Sequence, residues 1–491
     1  MDDLRITRMG VIWRDTFMVD GAPRPFFEHA RQRLQDLSCV RATSDDPHYH
    51  QPVLLNLSDR VWMNITRQGT SDILRASLED IRIASLSPTL RRLRARPADL
   101  SVAQCRDAAL RATAHGAWIR VKPLLVLHRA GAAMMQYHII FDLPYGARAR
   151  EVINLVRMGI SPQLLDLTPG WRQALPPAPI SWDGMPHPVD PGDGTHVAAA
   201  GLRDLSQWVV AKALCLGDHP PRPTGTSTVI LSEVDPAPTD NFDHYLAHHA
   251  ATLRGIGAMD RHYEERAQWL VEQEMFKNLS TDSELAVFLL GKSDLFLFND
   301  RLPDILDALA RRSYIGDETT ALTYMLLHYS VLVDWVTLQK ALLTTYLDRI
   351  DRLTQQARPD RGRLVAVLQD SINDLEQYQD SLSPYANRTD FVDAVSAHNG
   401  LDRLMERFER KQELLLAYAQ EYHDFQEVRA AVFLNWLAGI LAAAEFSSIV
   451  LPVLGVTQDE EPVLYALLAL GSIGVVFVVL AWLRRERRVG R

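Results

Sequence analysis

Near the C-terminal end lie two apolar runs, 437–456 and 464–483, separated by the acidic stretch Thr457-Gln458-Asp459-Glu460-Glu461 and followed by a tail rich in arginine. At about 1.5 Å rise per residue, each run coiled as a helix matches a hydrocarbon layer about 30 Å thick. This pattern predicts a two-helix transmembrane hairpin. Arg403, Arg407, Arg410, Lys411 and Arg429 precede the first run, Arg484, Arg485, Arg487, Arg488 and Arg491 follow the second, and the turn between has no Lys or Arg. Positive charge stays on the cytoplasmic side of a membrane, so both termini are expected in the cytoplasm and the acidic turn outside. Trp436 and Trp482 then fall at the same interface, where indole rings are favoured. The expected location is the cell (inner) membrane, in a multi-pass arrangement with the lipid bilayer as a partner.

The chain has 491 residues, enough for two or three units. Its net charge of −9 argues against a nucleic-acid binder, which would normally show a basic face. Cys39, Cys105 and Cys215 are far apart and form no CxxC or CxxH pair, so they read as reduced thiols. The start, Met1-Asp2-Asp3-Leu4-Arg5, has no basic and then apolar leader, which again places the bulk of the chain in the cytoplasm.

Pattern divides the chain further. Residues 1–175 read as a cytoplasmic α/β domain, with β-rich runs at 7–13, 53–57, 61–65, 118–127 and 134–141 and helices at 26–37 and 148–158. Prolines and glycines make 176–195 a linker. A mixed, mainly helical region follows over 196–316, with a helix at 196–216, a β-rich run at 227–234 and almost wholly helical pattern after Thr239. Residues 317–436 form a helical stalk, with long amphipathic segments at 317–356 and 363–382. The hairpin completes the order: 437–456, an outer turn at 457–463, 464–483, and a basic tail at 484–491. The expected class is α+β.

The last stalk helix has the most regular spacing in the chain. Leu401, Leu404, Phe408, Lys411, Leu415, Tyr418, Tyr422, Phe425, Arg429, Val432 and Trp436 follow a 3-4-3-4 rhythm, broken in polarity only at Lys411 and Arg429. Such a seam is a coiled-coil signal and implies a homo-oligomer through the stalk and the first span. The alternative is a long helix packed in a bundle against 317–356. With no Pro or Gly from 401 to 437, the helix over 389–456 would reach about 100 Å.

An α/β domain, a very long helix entering the first span, a short acidic outer turn, a second span and a basic tail: this order resembles the CorA-type magnesium transporters over 317–491, and at the N-terminal domain in class alone. The resemblance implies a ring of subunits around a pore, with a Gly-Met-Asn tripeptide at its mouth. Here Gly455-Val456-Thr457 stands at that place, and a threonine ring offers fewer acceptors than a carboxamide ring to a hydrated divalent cation. Magnesium selectivity is therefore not implied. The whole layout also resembles CASPASE/TPR-repeat-associated proteins of bacterial conflict systems, which couple an α/β module to a helical membrane-associated part.

Within the first span Glu445 is costly if it faces lipid, so it must face protein or water or be protonated. Asn435 and Glu445 share a helical stripe, with Ser447 and Ser448 beside Glu445 and with Gly455 and Thr457 at the outer end. These are the pore or membrane-polar candidates, with Asp459, Glu460 and Glu461 as an acidic outer mouth. A protonated Glu445 bonded to a neighbouring helix is the other reading. His244 and His248 are spaced i, i+4, a spacing that can hold a metal, although surface histidines on a helix give the same pattern. Gly291-Lys292-Ser293 lacks the first glycine of a phosphate loop, since Ala286 stands there. Gly255-Ile256-Gly257 lacks the third glycine of a dinucleotide site.

No catalytic constellation identifies an enzyme, and no cofactor is indicated beyond a divalent cation. Two functions follow as expectations. One is a homo-oligomeric ion-conducting or gated membrane module controlled by its cytoplasmic sensor domain. The other is a membrane-anchored signalling or effector component of a conflict system, whose N-terminal domain binds a protein or small-ligand partner.

Overall fold

A computed structural model of the chain describes residues 4–19, 23–43, 73–94, 101–157, 163–174, 196–213, 221–235, 242–265, 271, 278–280, 285–290, 293–298, 321–355, 361–382, 389–414, 417, 434, 438, 471 and 474. The strands are β1 (Arg5–Met18), β2 (Val40–Thr43), β3 (Ile73–Leu78), β4 (Ile81–Ser85), β5 (Ile119–His128), β6 (Ala132–Arg148), β7 (Gln163–Leu167), β8 (His196–Ala200), β9 (Arg222–Asp235), β10 (Leu285–Leu290) and β11 (Ser293–Phe298). The helices are α1 (Pro23–Asp36), α2 (Ser87–Leu93), α3 (Val102–Ala114), α4 (Ala149–Val156), α5 (Pro169–Ala174), α6 (Leu202–Ala213), α7 (Phe242–His248), α8 (Ala250–Gly257), α9 (Ala321–Thr354), α10 (Arg361–Leu382) and α11 (Thr389–His398). The chain divides into two compact units, 1–356 with 369–408, and 357–368 with 409–491.

In the first unit the strands form one sheet in the order β10-β11-β9-β1-β6-β5-β4-β7-β8, with β3 also pairing with β5 and carrying β2. β1 is central, antiparallel to β6 on one side and β9 on the other. β11 runs parallel to β9 and closes a hairpin with β10. The strand period of two sets the faces of β1. Met9, Val11, Trp13 and Phe17 enter the main apolar core, with Tyr137 and Ile139 of β6, Val152 and Ile153 of α4, and Leu205 and Val209 of α6. Each fully buried side chain of this kind contributes about 1.5–3 kcal/mol. A smaller cluster joins Ala84 and Leu164 of the sheet to Cys105, Ala108 and Ala109 of α3. α3 opens on a capping box: the Gln104 N–H donates to Ser101 Oγ at 3.3 Å, and the Ser101 N–H donates to Gln104 Oε1 at 2.8 Å. Cys39 and Cys105 are buried and free, and burial pushes the Cys39 thiol up to about 12, which leaves it unreactive.

The strands after 195 belong to this same sheet. β8 pairs with β7, although its residues read as the start of a helix over 196–216. The alanine run favours helix locally, but pairing with the edge strand overrides that preference, and the helix starts only after Gly201, whose N–H donates to Asp204 Oδ2 at 3.1 Å. β10 and β11 likewise interrupt the helical pattern expected after Thr239. Six-residue buried runs that are wholly or largely apolar cannot be told from buried helix by periodicity alone. Their turn, 291–292, lies outside the described residues, as do the expected linker 176–195, the β-rich runs at 53–57 and 61–65, and Cys215. The pair Gly255 and Gly257 has a packing reason. A Cβ at the first would strike the Tyr263 ring, and a Cβ at the second would strike Leu290.

Among the described residues no helix is long and apolar enough to cross a membrane. This corrects the expected transmembrane hairpin, and with it the inner-membrane location; the class that stands is α+β. Of the two apolar runs, only Ala438, Gly471 and Gly474 fall among the described residues. The seam residues from Leu415 to Trp436 also lie outside them. The longest described helix, α9, shows why length does not suffice. Asp334, Lys340, Asp348, Asp351 and Arg352 interrupt its apolar surface, and that surface is packed on protein. In the second unit, the described residues 361–368 and 409–414 are helical.

Candidate functional site

The sequence-derived membrane candidates Asn435, Glu445, Ser447, Ser448, Gly455, Thr457, Asp459, Glu460 and Glu461 lie outside the described residues. His244 and His248 lie on α7 with both side chains exposed. The His248 ring meets His249 edge-on at 4.8 Å, and His249 meets Tyr245 at 4.5 Å. Among the described residues no group of three His, Cys, Asp or Glu side chains could hold a metal ion. A two-histidine helix face without a third ligand is the bland arrangement that the spacing also allowed.

The structure concentrates unusual chemistry elsewhere, under α9. From Leu332 to Gln339 this helix has no solvent face: Leu332, Val333, Asp334, Trp335, Val336, Thr337, Leu338 and Gln339 are buried in succession. A helix buried all round is a core helix, and α9 packs on β1, β6 and β9.

The face of the sheet beneath it carries charge. Arg14 of β1 is fully buried, and its Nε donates to Asp334 Oδ1 of α9. Arg14 pairs across the strands with Gln136, and its neighbour Ile12 pairs with His138. Gln136 and Arg75 are buried, and His138 Nε2 lies 3.2 Å from Gln136 Oε1. Burial pushes the His138 imidazole down to about 4; Asp334 opposes that shift, while Arg14, Arg75 and Lys122 reinforce it. Asp294 of β11 is buried on the same face, and burial pushes its carboxyl up to about 7 against the pull of Arg14. The layer thus pairs Arg14 with Asp334, beside an imidazole that is neutral at neutral pH and a carboxyl close to its titration point there.

A second seat lies farther along α9. Asp374 of α10 accepts from Arg129 Nη2 at 2.5 Å and from the Tyr346 hydroxyl of α9. The side chain of Asp374 is 1% exposed, so this too is a charge held away from water. Beside it His128 Nδ1 accepts from the Ala130 N–H at 3.0 Å, and burial pushes this imidazole down to about 4. Near the end of α9, Asp348 Oδ2 lies 2.7 Å from both Arg222 Nη2 and Arg352 Nη2. α9 is therefore tied to the sheet and to α10 by charge-assisted contacts at three points along its length.

Sequence reasoning did not single out these residues. One signal was present: Asp334 is a lone carboxylate inside the apolar run Val331-Leu332-Val333-Asp334-Trp335-Val336. A carboxylate there needs a partner wherever the run is buried. Which residue would meet it, 320 positions away, was not legible.

No protein-family model matches the chain, and no curated protein matches it. Among solved structures, the full-length CmaX protein matches at 16% identity over 55% of this chain and 94% of that one, with a TM-score of 0.19. A likeness at that score carries no argument, and it lends none to the CorA-type resemblance.

Proposed function

We propose that this chain is a regulatory module. Its α+β unit senses a small ligand or a protein partner, and the seating of α9 on the sheet is the readout. The observation that carries this reading is the Arg14–Asp334 pair, which docks the buried stretch Leu332–Gln339 of α9 through charge. Desolvating two such ions costs several kcal/mol each, and apolar replacements of similar volume are often as stable or more so. What a buried pair supplies is discreteness: the charges meet in one register, and intermediate positions leave both uncompensated. An element that must occupy defined positions needs that property. Ion conduction rested on paired membrane spans and is not carried forward. The sensing role expected of the N-terminal region is kept.

Native-state hydrogen exchange tests the proposal. The α9 amides are expected to exchange as one cooperative group, through an opening that requires less free energy than global unfolding. Asp334→Asn is expected to lower that opening selectively. Exchange of α9 only through global unfolding would make it a fixed core helix and end the regulatory reading.

A further inference from the structure

A cavity of about 860 Å³ lies where α3 turns into β5, bounded by β4, α2, β6 and α4. That volume falls within the roughly 300–1,000 Å³ of small-molecule sites. Its lining has two chemistries. Ile119, Phe141, Leu143 and Leu155 supply an apolar wall, and Trp118 supplies a flat one. Arg92, Arg111 and Arg120 supply positive charge, and none of the lining residues is acidic.

Each cationic group has a carboxylate partner outside the lining. Asp107 Oδ2 lies 2.6 Å from Arg111 Nη1 and 3.5 Å from Arg92 Nη2, while Asp80 accepts from Arg120 Nε. Arg111 Nη2 is buried and has no hydrogen-bond partner among the described residues. The indole is also fixed: Trp118 Nε1 donates to Thr113 Oγ1 at 3.0 Å, and the Arg82 guanidinium lies 5.8 Å from its ring centroid. At the mouth, Gly116 adopts φ +59°, and a Cβ there would meet nothing within 4 Å. The turn that ends α3 therefore leaves open space beside the arginines.

We infer that this cavity binds a small ligand with an aromatic body and an anionic head, a carboxylate, sulfonate or phosphate. The body lies against Trp118 and Phe141, and the head accepts from the guanidinium groups of Arg92, Arg111 and Arg120 that line the cavity. The assignment is independent of the regulatory reading, because binding here can be measured whether or not α9 moves.

The test is fluorescence titration of the full chain with 1-anilinonaphthalene-8-sulfonate, run in parallel with N-phenyl-1-naphthylamine, which has the same rings without the sulfonate. R111M and, separately, R120M are expected to weaken the sulfonate probe by about tenfold, because each removes a charge-assisted hydrogen bond. The uncharged probe should bind all three proteins alike, and R111K should fall between wild type and R111M. Arg120 is 66% exposed, so R120M keeps the fold even if R111M does not. Sulfonate binding of equal strength in wild type, R111M and R120M would overturn the assignment, and so would an absence of saturable binding by the sulfonate probe.

Discussion

Along β1, alternate residues enter two differently built interfaces. Val11, Trp13 and Phe17 join an apolar core with α4 and α6, whereas Arg14 meets a carboxylate of α9. The carboxylate on the first face, Asp15, is treated differently as well. It accepts from Ser206 Oγ at 2.9 Å and Trp13 Nε1 at 3.1 Å, with Arg203 Nε 3.6 Å from its other oxygen. Burial raises its pKa against those contacts. Non-directional packing tolerates small displacements of a helix, because apolar surface stays covered as it slides. An ion pair away from water does not, because the penalty for separation is immediate. The comparison assigns one face to holding the fold and the other to holding α9 in a defined register.

The largest expected effects come from breaking each face in its own way. Phe17→Ala should cost about 3–5 kcal/mol in urea unfolding, through lost burial and a cavity. Asp334→Ala should cost a similar ~3–5 kcal/mol by leaving Arg14 charged and alone. The two differ in rescue. Arg14→Met combined with Asp334→Leu should restore wild-type stability or exceed it, while no second change of polarity rescues Phe17→Ala. If the double variant is as unstable as Asp334→Ala, the charged seat contributes stability and the contrast between faces fails.

Tyr346→Phe is the next step down. It removes a hydroxyl that donates to Asp374 and leaves the Arg129 contacts in place. A loss of about 1.5–3 kcal/mol is expected for a hydrogen bond to a charged group, read from the same unfolding curves.

The smallest effects are pH-dependent and sharpen the comparison most. Asp294 keeps its proton in the fold up to about pH 7, whereas an unfolded aspartate loses it near ~3.9. Its burial therefore lowers stability as pH rises through that window, and the penalty is complete above it. Asp294→Asn should raise the thermal midpoint relative to wild type more at pH 8 than at pH 5. His138 has the opposite sign: the fold excludes a proton that an unfolded imidazole takes up near ~6.5, so stability falls as pH drops toward about 4. His138→Gln should gain on wild type at pH 4.5 and not at pH 8. Differences that stay constant with pH would mean that neither group is buried as described.

Several elements were legible from local pattern. The β-rich runs at 7–13, 118–127 and 134–141 are β1, β5 and β6, and the helix expected over 317–356 is α9. Alternation and helical periodicity persist long enough there to outweigh competing signals. The site was far less legible. Arg14 and Asp15 are adjacent in sequence yet serve opposite faces, and nothing local shows that one meets a helix carboxylate while the other meets a serine.

By itself, then, the sequence determined which stretches are long strands and which is the long helix, because those depend on periodicity within a few turns or pleats. The tertiary structure alone decided that β8, β10 and β11 extend the same sheet, and that α9 is seated on it. It also decided that a cavity forms where three arginines and an indole meet. Short apolar runs and single charges acquire their roles only from partners that are distant in the chain, and the free energy that selects those partners is burial, which local pattern does not encode.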